Sequence, residues 1–167
     1  MSKLTAERAR QLFHYDPHSG ELRWRESRGR VRAGRLVGSI DGLGYRAFNL
    51  EGKRYSAHRV AWLIVHGAWP SSLDHANGVR SDNRLDNLRE ATQAQNLANR
   101  PTKLGKSGHR GVYYCPRNKK WIARIWVHGR AISLGYFKTA AEAAAAYAAA
   151  AVIHHGEFAY SARKEAA

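Results

Sequence analysis

Asp74 and His75 stand side by side, Asn87 follows twelve residues after His75, and Asn96 nine residues after that. Hydrolysis of a phosphodiester needs a base to take a proton from water, a metal to polarise the phosphate and stabilise the leaving oxygen, and a group that holds the base in orientation. A neutral imidazole can be that base near neutral pH. A carboxylate and an amide oxygen are hard ligands, suited to a magnesium-like ion that keeps several of its waters. Asp74, His75, Asn87 and Asn96 supply this set without sulfur. The lone Cys115 allows neither an internal disulfide nor a cysteine-based zinc cluster, so any metal must be held by oxygen and nitrogen.

The elements that must position these residues follow from the local pattern. Residues 71–75 can form a short strand, 76–87 a polar loop rich in Asn, Asp and Gly, and 88–91 a second strand. Thr92 with Gln95 is a capping box, which predicts a helix over 93–99. Asn77 and Gly78 are turn residues that let the loop reverse, and Asn83 is read as a brace of the same loop. Upstream, residues 57–66 carry an apolar helical face of Val60, Ala61, Leu63 and Ile64, with Gly67 as the stop. His58 and Arg59 open that helix. A capping or phosphate-contacting role there stands beside the plainer reading of a surface pair. His66, His154 and His155 are read as helix-end residues.

The segment 55–100 resembles the HNH endonucleases of the ββα-metal fold, especially the phage and homing type. The matching text is Ala57-His58-Arg59-Val60-Ala61-Trp62, Asp74-His75-Ala76-Asn77-Gly78, Leu85-Asp86-Asn87-Leu88-Arg89 and Gln95-Asn96. The resemblance implies that His75 activates water, that Asp74 and Asn96 hold the metal, and that Asn87 orients the catalytic His and braces the loop. The last position is His in many members of that family and Asn here.

Ahead of this motif the chain predicts a helix over 6–13 that buries Leu4, Ala9, Leu12 and Phe13. A turn at 16–20, a strand at 21–25 and a hairpin of 45–50 with 53–56 follow. Arg23, Arg25, Arg28, Arg30, Arg32 and Arg35 crowd one stretch opposed only by Glu26. It is either a solvated basic hairpin or an arm on DNA phosphates. The second is favoured because Arg dominates over Lys and its fork suits phosphate.

The 167-residue chain carries a net charge of +15, and the obvious partner for such an excess is nucleic acid. No apolar run or secretory segment supports a membrane surface instead, and the aromatic content argues against disorder. Residues 101–108, rich in Pro, Gly, Ser and Lys, read as a linker between domains at 1–100 and 109–160, with a tail at 161–167.

In the second half, residues 121–128 alternate with period two as a strand, His128-Gly129 makes a tight turn into 130–136, and 110–114 is a plausible first strand. Thr139 with Glu142 is a capping box opening an alanine-rich helix to about residue 155, stopped by Gly156. This unit resembles the AP2/ERF DNA-binding domain through Arg110-Gly111-Val112, Trp121-Ile122-Ala123-Arg124-Ile125, Leu134-Gly135-Tyr136-Phe137 and Thr139-Ala140-Ala141-Glu142-Ala143-Ala144 with Tyr147. The resemblance implies a three-stranded antiparallel sheet in the major groove, packed on one helix. Arg110, Tyr113, Arg117, Arg124, Trp126 and Arg130 would then be the DNA-facing positions. Trp126 could instead be core, but Trp121, Ile125 and Val127 already make a core face.

The expectation is thus an α+β protein: a ββα-metal HNH nuclease domain followed by an AP2/ERF-like domain. It would act as a metal-dependent DNA endonuclease on double-stranded DNA, with magnesium, or else manganese, and no small-molecule cofactor or membrane. His58 and Arg59 join the arginine stretch as expected DNA contacts. One active site per chain implies a nick per binding event in a monomer, unless two chains meet as a dimer. A phage- or prophage-encoded protein in the bacterial cytoplasm fits this reading. The alternative is a non-catalytic DNA-binding regulator with a degenerate HNH domain. An RNA-binding role lacks any recognised RNA module.

Overall fold

The computed structural model describes residues 4–100 and 104–160. Part of the expected linker (101–103) and the whole expected tail (161–167) lie outside the described residues. Two compact units are present, one ending at Thr92 and the other beginning at Gln93.

In the first unit, Thr5 caps helix α1 (Ala6–Leu12), its hydroxyl accepting from the Arg8 amide at 3.2 Å. Leu4, Ala9, Leu12 and Phe13 are buried, as their spacing predicts. Strands β1 (Phe13–Tyr15) and β2 (Leu22–Trp24) pair antiparallel, with Tyr15 opposite Leu22. A three-stranded antiparallel sheet follows in the order β3 (Ser39–Ile40), β4 (Arg46–Leu50), β5 (Lys53–Ser56). Helix α2 (Ala57–His66) ends at Gly67, whose φ of 77° is the left-handed cap that glycine takes most easily. The core gathers Phe13, Leu22, Val37, Phe48, Leu50, Val60 and Leu63. Phe13 meets Trp24 and Phe48 edge-on at 4.8 and 5.3 Å, which packs the β1–β2 hairpin against the sheet. The unit closes with a two-stranded antiparallel ribbon, β6 (Leu73–His75) and β7 (Leu88–Glu90).

The second unit begins with α3 (Gln93–Asn99). Its sheet has the order β10 (Arg130–Phe137), β9 (Lys120–Val127), β8 (Val112–Cys115), all antiparallel. The β9–β10 turn has positive φ at His128 and Gly129, the primed geometry that matches strand twist. Thr139 Oγ1 accepts from the Glu142 amide, and Glu142 accepts in return from the Lys138 amide, starting α4 (Ala140–His155). Alanines 143, 150 and 151 let α4 lie close against Val112, Ala123 and Ile125. At Gly111 (φ 68°) a Cβ would stand 2.3 Å from the Tyr147 ring, so only glycine admits this helix-to-sheet approach. No helix among the described residues is long and apolar enough to cross a membrane. The overall class is α+β with several small antiparallel sheets, as expected.

Candidate active site

The ribbon register places Arg89 opposite Asp74 and Leu88 opposite His75. Arg89 therefore reaches Asp74 Oδ2 with Nη2 at 2.9 Å and Nε at 3.1 Å. Both side chains are largely screened from solvent, so this pair orients the carboxylate more firmly than an exposed pair would.

Residues 76–87 leave His75 and return as a loop tied at many points. Asn87 is buried, its Oδ1 accepting from the Asn77 amide at 2.8 Å and its Nδ2 donating to the Asp82 carbonyl at 2.7 Å. Asn77 donates to Asp82 Oδ2 at 2.7 Å, and Arg84 grips both Asp82 oxygens. Those contacts, led by the Arg84 hydrogen bond, hold the Asp82 carboxyl below its ordinary value. Asn87 thus ties the two sides of the loop together.

A different asparagine meets the His75 ring. Its Nε2 lies 3.1 Å from Asn83 Oδ1, with both residues buried. An amide oxygen only accepts, so Nε2 carries the proton and Nδ1 holds the lone pair. Burial pushes the His75 imidazole below its ordinary pKa, while Asn83 and Asp74 pull it back up. The ring is therefore neutral near pH 7, the state a base requires.

Three further residues surround His75. The His58 ring meets it edge-on at 5.0 Å, and Tyr45 lies 5.9 Å from His75 and 5.3 Å from His58. Arg80 stacks over Tyr45 at 5.0 Å and donates to the Leu43 carbonyl. Burial drives the His58 pKa from 6.5 to about 3, with His75 and Arg59 adding to the effect. Sequence reasoning missed Tyr45 and Arg80, because nothing in their spacing ties residues 45 and 80 to residue 75. The Asp74–Arg89 pair was accessible in principle, since two strands joined by a loop must place some pair opposite.

The expected DNA contacts separate into several kinds. His58, expected on DNA or at the surface, is buried, because α2 turns that face toward Tyr45 and His75. Arg59 is half-buried and donates to the Pro70 carbonyl at 2.6 Å. Arg23 is bound to Glu21 and the Gly34 carbonyl, and Arg25 Nε to the Phe13 carbonyl. Arg28 lies near Trp24 and makes a long 3.9 Å pair with Glu51. Arg30, Arg32 and Arg35 are exposed and make no side-chain hydrogen bond or ion pair among the described residues. Arg110 donates to the carbonyls of Leu97, Ala98 and Arg100, closing the end of α3. Tyr113, Arg117, Arg124, Trp126 and Arg130 are exposed, Trp126 at 66 %. Asp74, His75 and Asn87 belong to the first unit and Asn96 to the second, on α3. A cleft lined by Trp24, Arg35, Phe48, Asn49 and Arg54 lies elsewhere in the first unit and includes none of the four chemical residues.

Residues 55–98 match the family model of the HNH endonucleases. The match runs from β5 through α2, the β6–β7 ribbon and α3, and so takes in all four residues. It supports a nuclease class, a DNA substrate and a divalent metal at the level of the family. No curated protein matches the chain.

Proposed function

We propose that this protein hydrolyses phosphodiester bonds in double-stranded DNA with His75 as general base. The observation that carries this reading is the placement of the His75 imidazole: buried, hydrogen-bonded through Nε2 to Asn83, and adjacent to the Asp74 carboxylate inside the HNH-matched segment. The Nδ1 lone pair takes a proton from water as the water oxygen bonds to phosphorus and the bond to the leaving oxygen breaks. Asp74, held by the Arg89 N–H groups, offers carboxylate oxygens, and Asn96 is the second oxygen ligand implied by the family pattern. This donor chemistry fits a divalent cation of the magnesium class, with manganese next. Such a cation supplies polarisation of the phosphoryl oxygen and stabilisation of the leaving oxygen.

DNA binding is assigned to the exposed cations. Arg30, Arg32 and Arg35 form a phosphate-contacting arm. In the second unit, Tyr113, Arg124 and Trp126 are exposed on strands of a three-stranded sheet whose other face packs on α4. That arrangement supports an AP2/ERF-like reader, with Arg117 and Arg130 at its edges.

Plasmid nicking tests the reading. Wild-type protein should nick supercoiled DNA with magnesium, stop with a chelator, and resume with excess magnesium or manganese. Its circular dichroism should stay constant throughout. His75→Ala should lose at least about 10²-fold in rate while binding DNA as before. Nicking by His75→Ala at the wild-type rate would overturn the assignment.

A further inference from the structure

His75 meets Asn83, whereas Asn87 turns both ends of its amide onto the loop backbone, at the Asn77 amide and the Asp82 carbonyl. Asn83 is itself fixed from outside the loop. Tyr15 on β1 donates its hydroxyl to the Asn83 carbonyl at 2.8 Å in a buried contact. The next turn is held by the Leu85 amide on the Pro17 carbonyl at 2.9 Å. Gly20 completes the seat: its φ is 74°, and a Cβ there would stand 2.4 Å from the Arg84 amide and 2.5 Å from the Asn83 carbonyl carbon. The β1–β2 hairpin, more than sixty residues away in sequence, thus presses directly on the backbone that carries Asn83.

We propose that Asn83, seated by Tyr15 and the β1–β2 hairpin, is the positioning residue that fixes the ring orientation and tautomer of His75, while Asn87 only braces the loop. The inference rests on His75 being the general base. With Oδ1 as acceptor the ring proton is kept on Nε2, and the lone pair stays on Nδ1, where a water can be deprotonated. Without that acceptor the proton can move to Nδ1, and a ring in that tautomer presents no lone pair on that side. Asn83 acts through His75 and touches no reacting atom, so its removal should slow turnover without weakening DNA binding. The arrangement also explains why a nuclease motif confined to residues 55–98 is preceded by a packed hairpin: the motif carries the base, and the hairpin holds its orientation.

The test uses the full chain with Asn83→Leu, Asn83→Asp, Tyr15→Phe and His75→Ala. Long-range proton–nitrogen NMR reads the His75 tautomer, the signal being assigned by its loss in His75→Ala. The wild type should show the proton on Nε2. Asn83→Leu should show a mixed or inverted tautomer, a fall in kcat of about 10²-fold, and an unchanged KM for plasmid. Asn83→Asp, which keeps an acceptor oxygen, should restore the Nε2 proton and most of the rate. Should Asn83→Leu fail to fold, Tyr15→Phe is the milder probe: it loosens only the seat of Asn83 and should lower kcat several-fold at constant KM. A wild-type tautomer and kcat in Asn83→Leu, or in a folded Tyr15→Phe if Leu is not tolerated, overturns the proposal. A His75→Ala protein that still nicks DNA shows instead that the general-base assignment is wrong, and the tautomer measurement then still decides whether Asn83 holds the ring.

Discussion

Acidification from pH 7 to pH 5 should destabilise the first unit through His58. The ring is buried, its Nδ1 has no hydrogen-bond partner among the described residues, and it lies against His75 and Tyr45. Its folded pKa is about 3, against an ordinary value of 6.5. The folded form therefore stays neutral at pH 5, while the unfolded form is almost wholly protonated. Because the folded pKa is depressed, stability is complete above about pH 6.5 and is lost as pH falls toward 3. At pH 5 the loss is RT ln(1 + 10^1.5), about 2 kcal/mol. This value depends on the unfolded pKa alone, since the folded one lies well below the pH of measurement. His58→Leu removes the titration while keeping similar volume, and it leaves no ring nitrogen unpaired. Urea unfolding of the full chain, followed by tryptophan fluorescence at pH 7 and pH 5, gives the double difference. Trp24, Trp62 and Trp69 report on the first unit. The variant should lose about 2 kcal/mol less than the wild type on acidification. Equal losses in the two proteins would refute the claim that His58 is buried in its neutral form.

Two further outcomes follow from the second unit and the arm. Gly111→Ala should destabilise the second unit by about 2–5 kcal/mol, combining backbone strain at positive φ with overpacking against Tyr147; a melt that leaves this transition unmoved would show that α4 does not approach β8 as described. Arg124→Ala should cost roughly 1–3 kcal/mol of affinity at a preferred DNA site and little at scrambled sequence. Arg32→Ala should instead reduce the log–log salt slope of binding by about 0.9 without changing sequence preference. A salt titration on both duplexes separates the two roles, and identical profiles would remove the distinction between reader and arm.

Local pattern made most of the elements legible. Gly67, Thr139 and Gly156 marked helix ends, because caps and positive-φ stops are chosen by residues at the site itself. Period-two alternation over β9 separated Ala123 and Ile125, on the face toward α4, from exposed Arg124 and Trp126. The Asp74-His75 pair with Asn87 gave the proposed chemistry, since donor type and basicity are properties of single side chains. Other features depended on distant partners. His58 looked like a surface residue because a helix start exposes its neighbours; only the packing of α2 toward Tyr45 buries it. Arg110 looked like a groove reader, but its fork closes the carbonyls at the end of α3. Asn83 and Asn87 are the same residue type in the same loop, and nothing in their spacing says which meets His75. That choice was made by the β1–β2 hairpin, through Tyr15 and the glycine-sized space at residue 20. The sequence by itself determined which groups carry donor oxygens, a titratable imidazole or a capping hydroxyl. Tertiary structure alone decided which of them is buried, which is neutral and which amide holds His75, because burial and hydrogen bonding arise from contacts between residues far apart in the chain.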